Sequence, residues 1–335
     1  MSTVVSAVRE AVRTWSEANP ADWNTGLSQE GACLAMNTAA GLVLDGALGV
    51  SRGRPPKKVV IWCASNVFTA PLEWTAQLAA LGTEVLLKAP SSSPESTQAM
   101  ADAFHGLGVS AHHLDHTSAL RLLEGADGLI AFGSDETLTA LNAQVPPTVR
   151  RSLHGHRASV AVVTGRNPVQ TAQALAWDLV LYDGRGCMSP SAIFCLDQTE
   201  ALADALASAL AEAGKTIPPG KLAPWQGPQW RARTGRARAL GTCREDSQWA
   251  VCATETGPLE ANLPRMAVLH EIEEVRALSF LKDMALSTCA TDLDDHAALE
   301  ALGFHRVCAP GDMQRPPLNR KHDGVDVIAR LSAMP

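Results

Sequence analysis

Residues 59–64 read Val59-Val60-Ile61-Trp62-Cys63-Ala64, an apolar run that follows Lys57 and Lys58 and gives way to Ser65-Asn66. The run is short and β-branched, so it predicts a buried strand. Pro71-Leu72-Glu73-Trp74 then opens a helix that ends near Leu81-Gly82, and residues 83–87 are the next strand. The alternation continues with a helix over 94–107 closed by Gly108, a strand over 128–132 and a helix starting in 136–142. A strand over 159–164, a helix over 169–177 and a further strand over 179–182 follow. Strands alternating with helices of this length imply βαβ units and a parallel sheet. In such sheets ligands bind beyond the carboxyl ends of the strands, which singles out 65–71, 88–94 and 133–137.

Outward from this core the reading is less regular. The N-terminal residues form an amphipathic helix on Val4, Val5, Val8, Val12 and Trp15. Residues 199–213 are an Ala-rich helix, and 215–235, with four Pro and three Gly, read as a loop or linker. The expected domains are a helical lead-in (1–54), a nucleotide-binding domain (55–180), a catalytic domain (181–312) and a tail (313–335).

Composition excludes several classes. The 335 residues are 46% hydrophobic and 19% charged, which is ordinary globular composition. A net charge of −7 argues against a general nucleic-acid binder. No uninterrupted apolar run is long enough for a membrane span. The eight cysteines include no Cys-x-x-Cys pair, which excludes zinc-ribbon and thioredoxin motifs. A chain of this length without a secretory h-region is expected in a reducing cytoplasm.

Four constellations could carry chemistry. In Asp183-Gly184-Arg185-Gly186-Cys187-Met188-Ser189-Pro190 the cysteine is expected between a strand end and a helix start, where the helix dipole favours a thiolate. A small packed cysteine beside a turn is the alternative. In Phe132-Gly133-Ser134-Asp135-Glu136-Thr137 a strand passes into a helix whose first N–H groups can hold phosphate, or Ser134 is simply an N-cap. Lys88 ends a strand at the ligand edge, a place for a ribose or phosphate contact or for a solvated charge. Asn66 follows the first strand, where its amide can donate to an oxyanion or serve a turn. His112-His113-Leu114-Asp115-His116 lacks a supporting ligand partner, so no metal is expected. Arg231, Arg233, Arg236 and Arg238 form a basic run, which is read as a solvated face.

Taken in order, these segments resemble the aldehyde dehydrogenase superfamily, and within it the acyl-CoA reductase branch of the bacterial luminescence fatty-acyl reductase. Ser65-Asn66 through Leu72-Glu73 looks like the family's asparagine loop. Glu84-Val85-Leu86-Leu87-Lys88-Ala89-Pro90-Ser91 resembles its lysine-bearing strand, and Phe132 to Thr137 its nucleotide turn. Gly186-Cys187-Met188-Ser189-Pro190 resembles its nucleophile turn. Met313-Gln314-Arg315-Pro316-Pro317-Leu318, with His322-Asp323-Gly324, resembles the tail of the reductase branch.

The resemblance implies an aldehyde-dehydrogenase-like α/β fold, with a parallel-sheet Rossmann-type cofactor domain and a second α/β catalytic domain. It implies Cys187 as nucleophile, with Asn66 and the Cys187 N–H as oxyanion donors. Lys88 would lie at the adenosine ribose or its 2′-phosphate, Ser91 would also be cofactor-binding, and Gly133 and Ser134 would lie at the pyrophosphate with Glu136 nearby. The cofactor is expected to be NADPH or NADH, NADPH ahead, and the substrate an acyl-CoA or acyl-carrier thioester. Aldehyde-oxidising relatives carry a glutamate that activates the hydrolytic water. Here the matching stretch is His154-Gly155-His156-Arg157-Ala158-Ser159, without glutamate, which favours thioester reduction and leaves His156 as a proton-transfer candidate. Glu255 and Glu260 are the candidates for the nicotinamide ribose. A homodimer or a partner subunit is the expected association, although the chain is short for the family at its N-terminus, where relatives build part of their subunit contacts. The alternatives are a cofactor-independent acyltransferase or thioesterase, and a non-catalytic partner subunit.

Overall fold

Val8, Ala11, Val12 and Trp15 recur at helical spacing and are the buried face of helix α1 (Thr3–Ser16). The structure is a computed structural model that describes residues 3–51, 53–255, 259–260 and 262–332. Small parts of the expected lead-in (1–2 and 52) and tail (333–335) lie outside the described residues. The chain divides into two compact units. The first comprises Met1–Thr25, Cys33–His156 and Pro316–Pro335, and the second Gly26–Ala32 and Arg157–Arg315.

After α2 (Gln29–Asp45), the first unit alternates β1 (Lys58–Trp62), α3 (Ala70–Ala80), β2 (Glu84–Lys88), α4 (Pro94–Ala103), β3 (Val109–His112), α5 (His116–Ala119), β4 (Gly128–Phe132), α6 (Asp135–Gln144) and β5 (Arg150–His154). All five strands are parallel, in the order β3-β2-β1-β4-β5. Val60, Trp62, Leu86, Leu129 and Leu141 share one core layer. The strand order reverses at β1 and β4, so the loops after these two strands diverge and leave a crevice at the sheet's carboxyl edge. The end of the chain returns to this unit as a short helix, Val327–Leu331, capped by Asp326. Leu331 packs so closely on β4 that a Cβ at Gly128 would stand 2.9 Å from its Cδ2.

The second unit contains β6 (Ala158–Val163), α7 (Pro168–Val180), β7 (Pro190–Cys195), α8 (Thr199–Thr216), α9 (Gln226–Leu240), β8 (Gly241–Glu245), β9 (Ala250–Thr254), β10 (Met266–Glu271), β11 (Leu286–Thr291) and β12 (Arg306–Cys308). Its sheet order is β12-β11-β6-β7-β10-β9-β8, parallel except for the β8–β9 pair. Val160, Val162, Phe194, Leu278 and Leu286 lie in its core.

The structure corrects three readings. Residues 179–182 are not a strand: α7 runs on to Val180, with Leu175, Ala176, Leu179 and Val180 buried along one face, and a 3-10 turn follows. A four-residue apolar run fits either element, and the preceding helical face decides it. Residues 215–235 are not a linker, because α9 begins at Gln226. Pro228 falls in its first turn, where the missing N–H costs no intrahelical bond. Cys187 precedes strand β7 and no helix start, so the helix-dipole argument for its thiolate falls. The two compact units divide in the sequence at 156/157, since β6 pairs with β7 and β11 in the second sheet.

Candidate active site

In the first unit the predicted cofactor residues sit along the carboxyl edge of the sheet. Trp62 and Lys88 are register partners at the ends of β1 and β2. Lys88 is 6% exposed, and its Nζ lies 5.1 Å from the centre of the Trp62 ring. Burial pulls its pKa down, with the Asp115 carboxylate pulling the other way. Burial likewise pushes the Cys63 thiol up to about 12, so it stays neutral beside the lysine. Ser91 is exposed in the turn before α4, whereas Ser93 Oγ is fully buried and has no hydrogen-bond partner among the described residues.

Asn66 is exposed on the loop after β1. Two residues on, Phe68 is buried against Trp15 (centroids 6.5 Å) and Trp23 (5.9 Å), which anchors that loop. Across the order reversal, Ser134 caps α6 by accepting the Thr137 N–H at 3.3 Å. Backbone hydrogen bonding and Ser134 hold the Glu136 carboxyl below its usual range. Gly133 has no positive φ, and an added Cβ would meet nothing closer than 3.6 Å. The folded chain therefore does not itself require glycine there, which leaves room for a ligand against the backbone. His156 is exposed, and its N–H donates to Asp135 Oδ1 at 3.0 Å. A side chain at Gly155 would run into the same oxygen.

A buried polar network at the ends of β4 and β5 escaped the sequence reading. His154 Nδ1 and Asp323 Oδ2 are 3.0 Å apart, and His154 Nε2 lies 3.0 Å from Ser152 Oγ. His322 Nε2 is 3.7 Å from the same Asp323 oxygen. Arg320 Nη2 lies 3.1 Å from His322 Nδ1, and Arg320 Nη1 donates to both oxygens of Glu73 at 2.9 and 2.8 Å. Only the His322-Asp323-Gly324 triplet in the sequence hinted at it.

In the second unit Cys187 is exposed on a turn closed by the Ser189 N–H donating to Gly186 O at 3.0 Å. The approach to that turn is left-handed: Tyr182, Asp183 and Gly184 have φ of 64°, 51° and 69°. Asp183 fixes it, accepting from Arg265 Nε (2.7 Å) and from the Gly220 N–H (2.7 Å). Three bonds, two of them to its backbone, hold the turn. Ser159 Oγ donates to Cys187 O at 2.7 Å, Asn262 Nδ2 to Ser189 O at 3.2 Å, and Gln314 Nε2 to Ser189 Oγ at 2.7 Å. The nucleophile candidate thus owes its placement to a turn held from three directions. Glu260 pairs with Arg233 and Arg236, so two members of the basic run are structural partners of a predicted ribose ligand. Glu255 O is 2.9 Å from His270 Nδ1. Among the described residues, no helix is long and apolar enough to cross a membrane.

Solved structures share this fold. The chain superposes on a NAD-dependent benzaldehyde dehydrogenase from Corynebacterium glutamicum with a TM-score of 0.69 and 16% identity, covering 92% of this chain and 82% of that one. An acetylating aldehyde dehydrogenase from Geobacillus thermoglucosidasius gives a TM-score of 0.67 and 14% identity, covering 99% of this chain and 85% of that one. At such identities the likeness shows the aldehyde-dehydrogenase-like fold alone. A long-chain acyl-protein thioester reductase of Aliivibrio fischeri is 25% identical over 151 residues, 41% of this chain and 32% of that protein. The match therefore spans about a third of that relative's length. Residues 47–334 match the family model of acyl-CoA reductase (LuxC), which takes in the crevice of the first unit, the Cys187 turn and the His322-Asp323 segment. The chain belongs to the acyl-CoA reductase (LuxC) family.

Proposed function

We propose that the protein reduces an acyl thioester, carried on coenzyme A or an acyl carrier, to the aldehyde with NADPH or NADH, through a thioacyl enzyme on Cys187. The observation that carries this reading is an exposed cysteine on a turn held by Ser159, Asn262 and Gln314, in a member of an acyl-CoA reductase family. A nucleophile needs access for its substrate and a backbone that does not shift during attack.

The first unit fits a dinucleotide. The strand-order reversal opens a crevice, Gly133 leaves backbone uncovered, and the buried Ser93 hydroxyl awaits an acceptor or donor. Lys88 and Ser91 would hold the adenosine ribose. Gly133 and the N–H groups of Asp135 and Glu136 would hold the pyrophosphate, since Ser134 already takes the Thr137 N–H. When bound, the reduced nicotinamide supplies the hydride.

The chain's own residues do the rest. The Cys187 thiolate forms a bond to the thioester carbonyl carbon, and the carbonyl oxygen takes the charge. The Asn66 amide and the Cys187 N–H are its donors. Collapse expels the carrier thiolate, which takes a proton, and leaves the acyl group on Cys187. After reduction the hemithioacetal breaks its C–S bond, releasing aldehyde and restoring the Cys187 thiolate. The stretch 154–159, which resembles the one where aldehyde-oxidising relatives carry a basic glutamate, contains none. That difference supports transfer to a thiol over hydrolysis. His156 has an exposed side chain suited to proton exchange with solvent.

The test follows NADPH and NADH absorbance with a panel of acyl-CoAs, wild type beside Cys187→Ala. Acyl-CoA-dependent oxidation by the wild type alone supports the reading. Release of coenzyme A without nicotinamide oxidation would replace it with a thioesterase. Neither activity, with no nucleotide bound, would point to a non-catalytic subunit.

A further inference from the structure

We propose that Cys243 and Cys252 form a thiol–disulfide exchange site that takes a low-molecular-weight disulfide of the glutathione type. The antiparallel pairing of β8 with β9 puts Cys243 directly opposite Cys252. Side chains directly opposite on neighbouring antiparallel strands have Cβ atoms within about 4.5–5.5 Å, and disulfides need about 3.5–4.5 Å, so a small adjustment joins them. The two sulfurs are already 2.6 Å apart, both as free thiols. No rearrangement of the fold is required to bond them.

The pair is also graded in access. β8 is the last strand of the sheet, and Cys243 on it is partly exposed. Cys252 is fully buried, under Ala237 of α9 and beside Ala250, Leu263 and Met266. Burial, with the neighbouring Cys243, pushes the Cys252 thiol up, while Arg238 and Arg233 pull it down less strongly. Cys243 is therefore the thiol a small disulfide meets, and Cys252 is the one that resolves.

The exchange balances. The Cys243 thiolate bonds to one sulfur of the small disulfide, whose S–S bond breaks and releases one thiolate. The Cys252 sulfur then attacks Cys243 Sγ, loses its proton and expels the second small thiol. Two protein thiols are oxidised to one disulfide, and one small disulfide is reduced to two thiols. In the opposite ratio of reduced to oxidised thiol the steps reverse.

The experiment incubates the full chain in graded ratios of oxidised to reduced glutathione, quenches with acid, alkylates free thiols and maps the peptides by mass. The expected product is a Cys243–Cys252 linked peptide lighter by two hydrogens, reversed by excess reduced glutathione and formed equally in Cys187→Ala. Cys252→Ser should trap glutathione on Cys243, whereas Cys243→Ser should leave Cys252 unmodified. Free Cys243 and Cys252 at every ratio, or glutathione persisting on wild-type Cys243, would overturn the proposal. The wild-type map decides by itself should a serine variant fold poorly, and it does not depend on the reductase reading.

Discussion

Gln314 Nε2 donates to Ser189 Oγ at 2.7 Å, joining two residues 125 positions apart, the nearer of them two residues beyond Cys187. Both side chains are buried. Gln314→Leu would leave the serine hydroxyl without this donor and free the turn to shift. We expect kcat to fall about tenfold with the melting temperature little changed, since a small misplacement of a reacting group is costly. The rate of Cys187 alkylation by iodoacetamide should fall with it. A cycle with Ser189→Ala should be strongly non-additive, and additive losses would assign the two residues separate roles.

Asp178 holds the segment that presents Gln314. Its oxygens accept the Gly311 N–H at 2.7 Å and the Met313 N–H at 3.0 Å. Burial pushes its carboxyl up to about 7 in spite of those donors. A folded-state value above the unfolded one means the native chain keeps a proton that the unfolded chain has lost. Stability should therefore fall as pH rises from about 4 to about 7, by about 4 kcal/mol for this residue. Asp178→Asn should be less stable than wild type at pH 5, because an amide N–H₂ replaces one acceptor. The gap should shrink towards pH 7.5, as urea titrations at several pH values will show. A gap constant with pH would mean that Asp178 is ionised throughout.

The parallel sheet of the first unit was legible because β1, β2 and β4 are buried on both faces and read as unbroken apolar runs. The crevice loops followed from it, and with them the positions of Asn66, Lys88 and Gly133. The surroundings of Cys187 were not legible. Tyr182 and Asp183 adopt left-handed φ without being glycine, which no local pattern announces. Their cause is the buried contact of Asp183 with Arg265, 82 positions away. α9 was hidden for a different reason: its buried residues are Gln226, Thr234 and Ala237, among arginines, so it carries almost no apolar stripe. His154 and Asp323 meet only because the chain end returns to β5, and 169 positions separate them.

The Asp183–Arg265 pair is a further test of how that turn is held. Their side chains are 2% and 1% exposed. Replacing Arg265 with methionine would strand a buried carboxylate that still accepts the Gly220 N–H but has lost its guanidinium. Breaking such a pair from one side typically costs about 3–5 kcal/mol, and we expect a loss of that size in chemical unfolding. Replacing both partners with apolar residues should recover most of it. If the single variant were as stable as wild type, the pair would not be what maintains the left-handed approach to Cys187.

Asn66 gives a cleaner handle on chemistry, because its side chain is exposed and its loop is anchored by Phe68. Asn66→Ala should leave the melting temperature within a degree or so, as exposed substitutions usually do. In the proposed mechanism it removes one oxyanion donor, and kcat should fall about 10²–10³-fold with KM little altered. Steady-state kinetics with acyl-CoA measure this directly. An unchanged kcat would take Asn66 out of the mechanism while leaving Cys187 untouched.

His154, His322 and Asp323 bring donor atoms within 4.8 Å of one another, a composition that zinc or nickel favours. The tautomers argue otherwise. A guanidinium can only donate, so His322 Nδ1 accepts from Arg320 and its proton sits on Nε2, facing Asp323. A metal at Nε2 would need that lone pair free and the Nδ1 proton donated to an acceptor, which Arg320 is not. The cluster is then a carboxylate flanked by two imidazole N–H groups, with Arg320 locked in place by Glu73. We expect zinc at micromolar concentration to leave the melting temperature of the wild type unchanged. Arg320→Met, which releases His322 Nδ1, should be stabilised by zinc. A zinc-dependent rise in the wild type that is lost in Asp323→Asn would reverse the assignment and make the cluster a metal site.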